Sequence, residues 1–304
     1  LTPGATISPA SGSVQNFTTP VRYTVTSEDK AWHRVYAITA REQKASNIPT
    51  TYHFEKVRIM QNVWQEFYEE QDSGNELTWA SGNKGFKWAM SEAATEDYPT
   101  TQIDNGKTGK CVKLETRLTG DLGNMVGMPI AAGNLFIGSF AMLNAITNPL
   151  SATRFGTPFY NKPLRLTGYY KYKAGEQFYE NGEYTSRKDI FNIYAIFYDG
   201  VKYDSAGKGT DVTLDGNLPN QNYEHSSMVA LALVSNPQET EGDEWKFFDI
   251  PFDYQRYGKK IDEARLAKGE YKIGIIFASS KDGATFEGAP GSTLLIDEVE
   301  LIYE

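Results

Sequence analysis

The sequence predicts an all-β protein whose main body, residues 52–304, is a jelly-roll β-sandwich. Segments of strand length recur along the chain with apolar side chains at alternate positions, and Gly, Asn, Asp and Pro residues separate them. The pattern lacks the regularly interleaved amphipathic helices that a parallel α/β sheet requires. A length of 304 residues fits one large sandwich together with a small additional unit.

The first part of the chain, residues 1–45, predicts a small β unit. Apolar and polar residues alternate through residues 21–26, a turn follows, and the chain returns through evenly spaced apolar residues at 32–38. Because about forty residues are marginal for an independent core, we expect part of a small sandwich or a hairpin that leans on the main body. The polar stretch at 41–51 has the composition of a linker.

The charge of the chain argues against nucleic acid as a partner. It carries 30 Lys and Arg residues against 39 Asp and Glu residues, a formal charge of −9, which repels phosphate backbones. No stretch approaches the roughly 20 apolar residues of a membrane span, and no basic amphipathic run suggests a position on a membrane surface. We therefore expect no direct membrane insertion.

Sequence signatures of common catalytic sites are missing. The glycine loop that binds phosphate and the nucleophile elbow are absent, and Cys111 has no nearby histidine to activate it. We expect no metal or cofactor, because the histidines lack the paired spacing of zinc sites: His33, His53 and His225. A structural calcium ion near Asp104 or Asp297 stays open, the alternative being a turn carboxylate that bonds backbone amides.

Aromatic residues make up 13% of the chain and suggest a carbohydrate-binding surface. Sugars stack their C–H faces on aromatic rings, and their hydroxyl groups bond to charged and amide groups. On the strand predicted for residues 164–173, Tyr169 shares its face with Arg165 and Lys171. These three residues are candidates for ligand binding.

A later strand supplies a second set of candidates. Alternation places Tyr194 and Tyr198 on one face with Asn192, which predicts exposed rings beside an amide. The alternative for the predicted tyrosines is packing against a neighbouring domain or an edge loop.

Glu115 is the candidate carboxylate for glycoside hydrolysis. It lies in the middle of a predicted strand, on a polar face between Lys113 and Arg117. Hydrolysis needs two carboxylates roughly 5 to 9 Å apart, one of them protonated, and the sequence does not identify the second. The alternative is a cross-strand salt-bridge ladder on a solvated sheet. Glu115 and Arg117 are also candidates for ligand binding.

Six short motifs resemble, in this order, the putative carbohydrate metabolism domain of surface lipoproteins from gut Bacteroidetes, over nearly all of residues 52–304. They are Phe-Glu at 54–55, Trp-Ala-Ser-Gly-Asn at 79–83, Lys-Leu-Glu-Thr at 113–116, Gly-Tyr-Tyr-Lys-Tyr at 168–172, Ala-Ser-Ser-Lys at 278–281 and Gly-Ser-Thr-Leu-Leu-Ile-Asp-Glu-Val at 291–299. Segments 7–12 and 21–26 resemble the second half of the immunoglobulin-like module that often precedes that domain. The resemblance therefore implies that residues 1–45 are a partial immunoglobulin-like module.

The resemblance also implies export to the periplasm or outer cell surface as a lipoprotein, and a role in glycan use or adhesion. Since no catalytic signature is present, we expect a non-catalytic, carbohydrate-binding or glycan-utilisation-associated surface protein. Two alternatives stay open: a glycoside hydrolase that acts through a carboxylate pair, and a cell-adhesion or scaffold module that binds other surface proteins.

Overall fold

The computed structural model of the protein describes residues 2–39 and 45–304. Strands account for 42% of the chain and helices for 11%, in several antiparallel sheets, which confirms the predicted all-β sandwich class. Two compact units are present, one reaching residue 45 and the other running from Ser46 to Glu304. The predicted linker at 41–51 lies partly outside the described residues.

The small unit is one antiparallel sheet. Its strands β1 (Thr6–Ser8), β2 (Val21–Thr26) and β3 (His33–Ile38) lie in the order β1-β2-β3. The hairpin predicted from alternation is therefore present as β2 and β3. All six residues of β3 are exposed, so this sheet encloses little core of its own.

The large unit is built from short strands and four short helices. Its strands up to residue 160 are β4 (Thr51–Tyr52), β5 (Val57–Met60), β6 (Trp64–Glu70), β7 (Glu76–Ala80), β8 (Thr100–Asp104), β9 (Lys110–Glu115), β10 (Arg117–Leu118), β11 (Ile130–Ala131), β12 (Asn134–Phe140), β13 (Thr153–Phe155) and β14 (Thr157–Pro158). The later strands are β15 (Pro163–Lys173), β16 (Phe178–Glu180), β17 (Glu183–Thr185), β18 (Asn192–Asp199), β19 (Val201–Tyr203), β20 (Gly209–Asp211), β21 (Leu214–Asp215), β22 (Met228–Leu233), β23 (Lys246–Pro251), β24 (Tyr271–Ala278) and β25 (Thr293–Tyr303). The α-helices are α1 (Asn83–Ala89), α2 (Gly120–Met125), α3 (Met142–Thr147) and α4 (Glu263–Leu266), and 3-10 turns occur at Thr95–Asp97, Pro149–Ser151, Pro219–Gln221 and Gly283–Thr285.

Two large sheets form the sandwich. The six-stranded sheet has the order β23-β15-β25-β9-β8, with β4 also paired to β25. The ten-stranded sheet has the order β22-β18-β24-β12-β7-β6-β5, with β13, β14 and β21 attached. Leu114 and Leu166 from the first sheet share one buried core with Trp79 and Phe277 from the second. The main core therefore lies between the two inner faces.

A second core covers the outer face of the ten-stranded sheet. Phe136, Tyr194 and Ile276 point outward from that sheet. They pack with Phe155 of β13 and Leu214 of β21, and with residues of the segment between β21 and β22. The outer face of this sheet is thus as apolar as its inner face, as expected for a sheet that is buried on both sides.

A bulge interrupts β25, the central strand of the six-stranded sheet. Glu298 has a φ of +49°, in the left-handed region, and the pairing of β25 with β15 shifts its register there. Before the bulge β25 pairs on its other side with β9, and after it β25 pairs with β4. The bulge therefore marks the point at which β25 changes partner.

Candidate functional site

The outer face of the six-stranded sheet carries a half-exposed aromatic pair. Tyr169 on β15 and Phe247 on β23 are cross-strand neighbours, and their ring centroids lie 5.2 Å apart. Phe247 is 53% exposed. The ammonium of Lys107 lies 4.9 Å from the Tyr169 ring centre, and that of Lys171 lies 5.0 Å from the ring centre of Trp245. We call these five residues the aromatic platform.

Charged side chains flank the platform along β15. Arg165 Nε donates to Asp249 Oδ1 at 2.6 Å, and Lys171 pairs with Asp243. Arg165, Tyr169 and Lys171 therefore lie together on the outer face of this strand, as their alternation predicts. Leu166 and Tyr170, by contrast, point toward the core.

Asp297 fixes the loop that carries Lys107. Its side chain is fully buried, Oδ2 accepts a hydrogen bond from the Thr108 amide at 3.0 Å, and Oδ1 accepts one from the Glu298 amide at 2.8 Å. Burial raises the pKa of Asp297 to about 6, although the amides act in the opposite direction.

Asp297 thus shows the geometry of a carboxylate that bonds backbone amides, which was the alternative to a calcium ligand. Among the described residues no group of three or more His, Cys, Asp and Glu side chains is placed to hold a metal ion.

Glu115 and Arg117 line a different feature, an open cleft of about 700 Å³ beside β10. Glu115 Oε2 lies 3.0 Å from Lys113 Nζ, and its Oε1 lies 3.0 Å from Arg117 Nε. Arg117 also approaches Asp97, at 4.0 Å. These ion pairs run along the chain from residue 113 to residue 117, so they differ from the cross-strand salt-bridge ladder considered for Glu115. Two carboxylates of the cleft therefore share one guanidinium group.

The prediction that Tyr194 and Tyr198 are exposed is wrong. They are 2% and 0% exposed, and Asn192 on the same face of β18 is 3% exposed, because the second core covers that face. Tyr198 Oη donates to the Phe155 carbonyl at 2.6 Å, and Asn192 Nδ2 donates to Tyr223 Oη at 2.9 Å. Burial raises the pKa of both β18 phenols. These residues cannot form a surface platform for a glycan.

The sequence pattern does not select three members of the platform: Trp245, Phe247 and Lys107. Phe247 lies next to Phe248 in an apolar strand, and only the strand register separates the outward ring from the inward one. Asp249 lies two residues after Phe247, so the two side chains share one face of β23, and a charged residue marks that face as the exposed one. This is the signal that could identify Phe247. Lys107 lies in a turn, and its approach to Tyr169 depends on the contact of that turn with Asp297.

Comparison with known families identifies the large unit. Residues 53–302 match the family described as the putative carbohydrate metabolism domain. The chain belongs to this carbohydrate metabolism family. The resemblance of the six sequence motifs is thereby confirmed. Residues 1–40 match a second family, described as SGBP, N-terminal.

Two solved structures are similar to this member of the carbohydrate metabolism family. One, a putative glycoside hydrolase from Bacteroides vulgatus ATCC 8482, is 49% identical; the match covers 86% of this chain and 100% of that chain, with a TM-score of 0.79. The other, a putative glycoside hydrolase from Bacteroides thetaiotaomicron VPI-5482, is 45% identical; the match covers 100% of this chain and 84% of that chain, with a TM-score of 0.76. No curated protein matches the chain. None of the helices within the described residues has the length and apolarity needed to cross a membrane.

Proposed function

We propose that the protein binds a glycan on the aromatic platform and does not cleave it. The observation that carries this proposal is the half-exposed pair of Tyr169 and Phe247 on one outer sheet face, with Lys107 and Lys171 beside the rings. Such rings can stack on the C–H faces of a sugar, and ammonium groups can donate to its hydroxyl groups. The description of the family and the SGBP name both support a glycan as the ligand.

Contacts within the protein also hold the platform residues in place. Tyr169 belongs to β15, which is paired on one side with β23 and on the other with β25. Lys107 is held through the amide contact of the next residue, Thr108, with Asp297. A surface fixed in this way loses little conformational entropy when a ligand binds.

Glycan-array screening of the wild-type protein, followed by calorimetric titration of the best glycan, tests this proposal. We expect Tyr169→Ala and Phe247→Ala each to weaken binding about tenfold, because each removes a stacking ring. Tyr184→Ala is the matched control, since Tyr184 is 52% exposed and contacts Tyr179 instead of the platform. Equal affinity of the wild type and both platform variants would contradict the proposal.

Glycoside hydrolysis in the Glu115 cleft is the second candidate function. It is favoured by the names of the two similar structures and by the presence of Asp97 in the same cleft. However, both carboxylates contact Arg117, and Glu115 also contacts Lys113. A hydrolytic pair instead flanks the bond that it cleaves, with each carboxyl group free to reach the substrate. The arrangement therefore favours binding over cleavage.

Reducing-sugar release from a panel of host and plant glycans separates cleavage from binding. We expect no release by the wild type above that of Glu115→Gln. Release that is lost in Glu115→Gln would establish hydrolysis and overturn the non-catalytic proposal.

A pull-down from an outer-membrane extract addresses the adhesion or scaffold alternative. Specific retention of a protein that free glycan does not displace would indicate that role.

The SGBP-like first segment supports a position at the cell surface, and we include a lipid anchor in the same proposal. Proteolysis of intact cells should degrade the protein, and metabolic labelling with an alkyne fatty acid should mark it. Protection from protease in intact cells would contradict the surface location, and absence of label would contradict the anchor.

A further inference from the structure

An apolar cavity of about 180 Å³ lies on the outer face of the ten-stranded sheet. Phe136, Tyr194 and Ile276 contribute to it from the sheet, and helices α1, α2 and α3 supply further lining residues. Trp88 on α1 and Val126 at the end of α2 are each 39% exposed, so the cavity communicates with the protein surface. The aromatic platform shares none of the described lining residues, and the Glu115 cleft shares only Phe86 and Ala89 of α1 with the cavity.

The polar groups of the lining are largely engaged within the protein. Asn192 Nδ2 donates to Tyr223 Oη at 2.9 Å, and Ser280 Oγ donates to Asp189 Oδ2 at 2.6 Å. Asn134 Oδ1 accepts a hydrogen bond from a backbone amide at 2.8 Å. The interior of the cavity therefore offers few free hydrogen-bonding groups and favours an apolar guest.

The size of the cavity limits that guest. Apolar cavities of about 150 Å³ stay dry and bind benzene. The cavity described above has room for one aromatic ring with a short substituent. An oligosaccharide chain is too large and too polar for it.

Lys281 indicates where a polar group of the ligand would lie. Of the described residues that line the cavity, Lys281 alone carries a charge, and its ammonium has no ion pair or hydrogen bond with another described residue. The side chain is exposed, so its charge stands at the solvent side of an apolar space. A carboxylate there would gain a charge-assisted hydrogen bond.

We propose that this cavity binds an aryl carboxylate, with the aromatic ring against Phe136, Tyr194 and Ile276 and the carboxylate toward Lys281. The site is separate from the glycan platform and does not depend on the function proposed for it. Its ligand class follows from the volume, the apolar lining and Lys281, the single free cation among the described lining residues.

Calorimetric titration with 3-phenylpropanoate tests the proposal, with 3-phenylpropan-1-ol as its neutral counterpart. We expect saturable 1:1 binding of the acid to the wild-type protein. Lys281→Met should weaken binding of the acid about tenfold, because the charge-assisted bond is lost, and should change binding of the alcohol by less than about twofold. Equal losses for both ligands would contradict the role of the charge.

A cavity-filling variant tests the location of the ring. Ala145 on α3 lines the cavity, so Ala145→Leu should abolish binding, whereas Thr147→Leu, on the same helix but outside the lining, should leave it unchanged. Tyr169→Ala should also leave it unchanged, which separates this site from the platform. Circular dichroism would verify the fold of each variant, and Lys281→Met supplies an independent answer if Ala145→Leu does not fold. Absence of saturable binding to the wild type, or full binding to folded Ala145→Leu, would overturn the proposal.

Discussion

The two outer faces of the sandwich have similar strand patterns but different surroundings. On β15 the outward residues Arg165, Tyr169 and Lys171 are partly exposed, whereas on β18 the outward residues Tyr194 and Tyr198 are buried. The difference arises because side chains of β13, of β21 and of the segment between β21 and β22 cover the outer face of the ten-stranded sheet. A tyrosine on an outward position is therefore a binding candidate only where no second layer lies over it.

The largest expected effect tests this difference directly. Tyr194 contacts the rings of Phe155 and Tyr223 inside the second core. We expect Tyr194→Ala to lower the free energy of unfolding by about 3 to 5 kcal/mol, and Tyr169→Ala to lower it by less than about 1 kcal/mol. Urea unfolding followed by tryptophan fluorescence measures both. Similar losses for the two variants would remove the distinction between the faces.

The next largest expected effect is on the pH dependence of stability. It comes from Asp297, a buried acid in the six-stranded sheet, whose outer face is otherwise partly exposed. Its folded-state pKa of about 6 is above the usual value of 3.8, so the folded state binds the proton more tightly than the unfolded state. Stability from this residue is therefore full below about pH 4 and is lost as pH rises through about 6.

The comparison variant is Asp297→Asn, which does not titrate. Between pH 4 and pH 7 we expect the wild type to lose about 2 to 3 kcal/mol of unfolding free energy relative to this variant. Urea unfolding at several pH values measures the difference. A constant difference between the two proteins across this range would contradict the raised pKa.

The smallest expected effect concerns Arg165 at the edge of the platform. Arg165 and Asp249 are 41% and 40% exposed, and exposed ion pairs contribute little. We expect Arg165→Ala to change the free energy of unfolding by no more than about 0.5 kcal/mol. A thermal unfolding scan checks this, and a loss comparable to that of Tyr194→Ala would show that the open face is more tightly packed than its exposure indicates.

The sequence predicts local features of this fold well. Alternation identifies the hairpin of β2 and β3 and separates the two faces of β15, because both depend on neighbouring residues alone. The short helix α4 also has a local origin, because Asp262 caps it by accepting hydrogen bonds from two backbone amides.

Features that depend on residues far apart in the chain cannot be predicted from the local sequence pattern. Tyr194 and Tyr198 share a face as predicted, but their burial depends on Phe155 and Leu214, whose positions follow from the complete fold. The pairing of Tyr169 with Phe247 depends on the register between β15 and β23, which sequence alternation alone leaves open. The local sequence pattern thus predicts the fold class, but it does not predict which residues form the site.

The position of β25 has a consequence for the synthesis of this chain. Residues 293–303 form the strand between β15 and β9, and Glu300 pairs with Thr51, so the middle of the six-stranded sheet is translated after its neighbours. Until those residues leave the ribosome, β15 and β9 lack the strand that pairs with both of them. Contacts of such sequence separation form slowly, and the growing chain must keep its edges from joining other chains in the meantime.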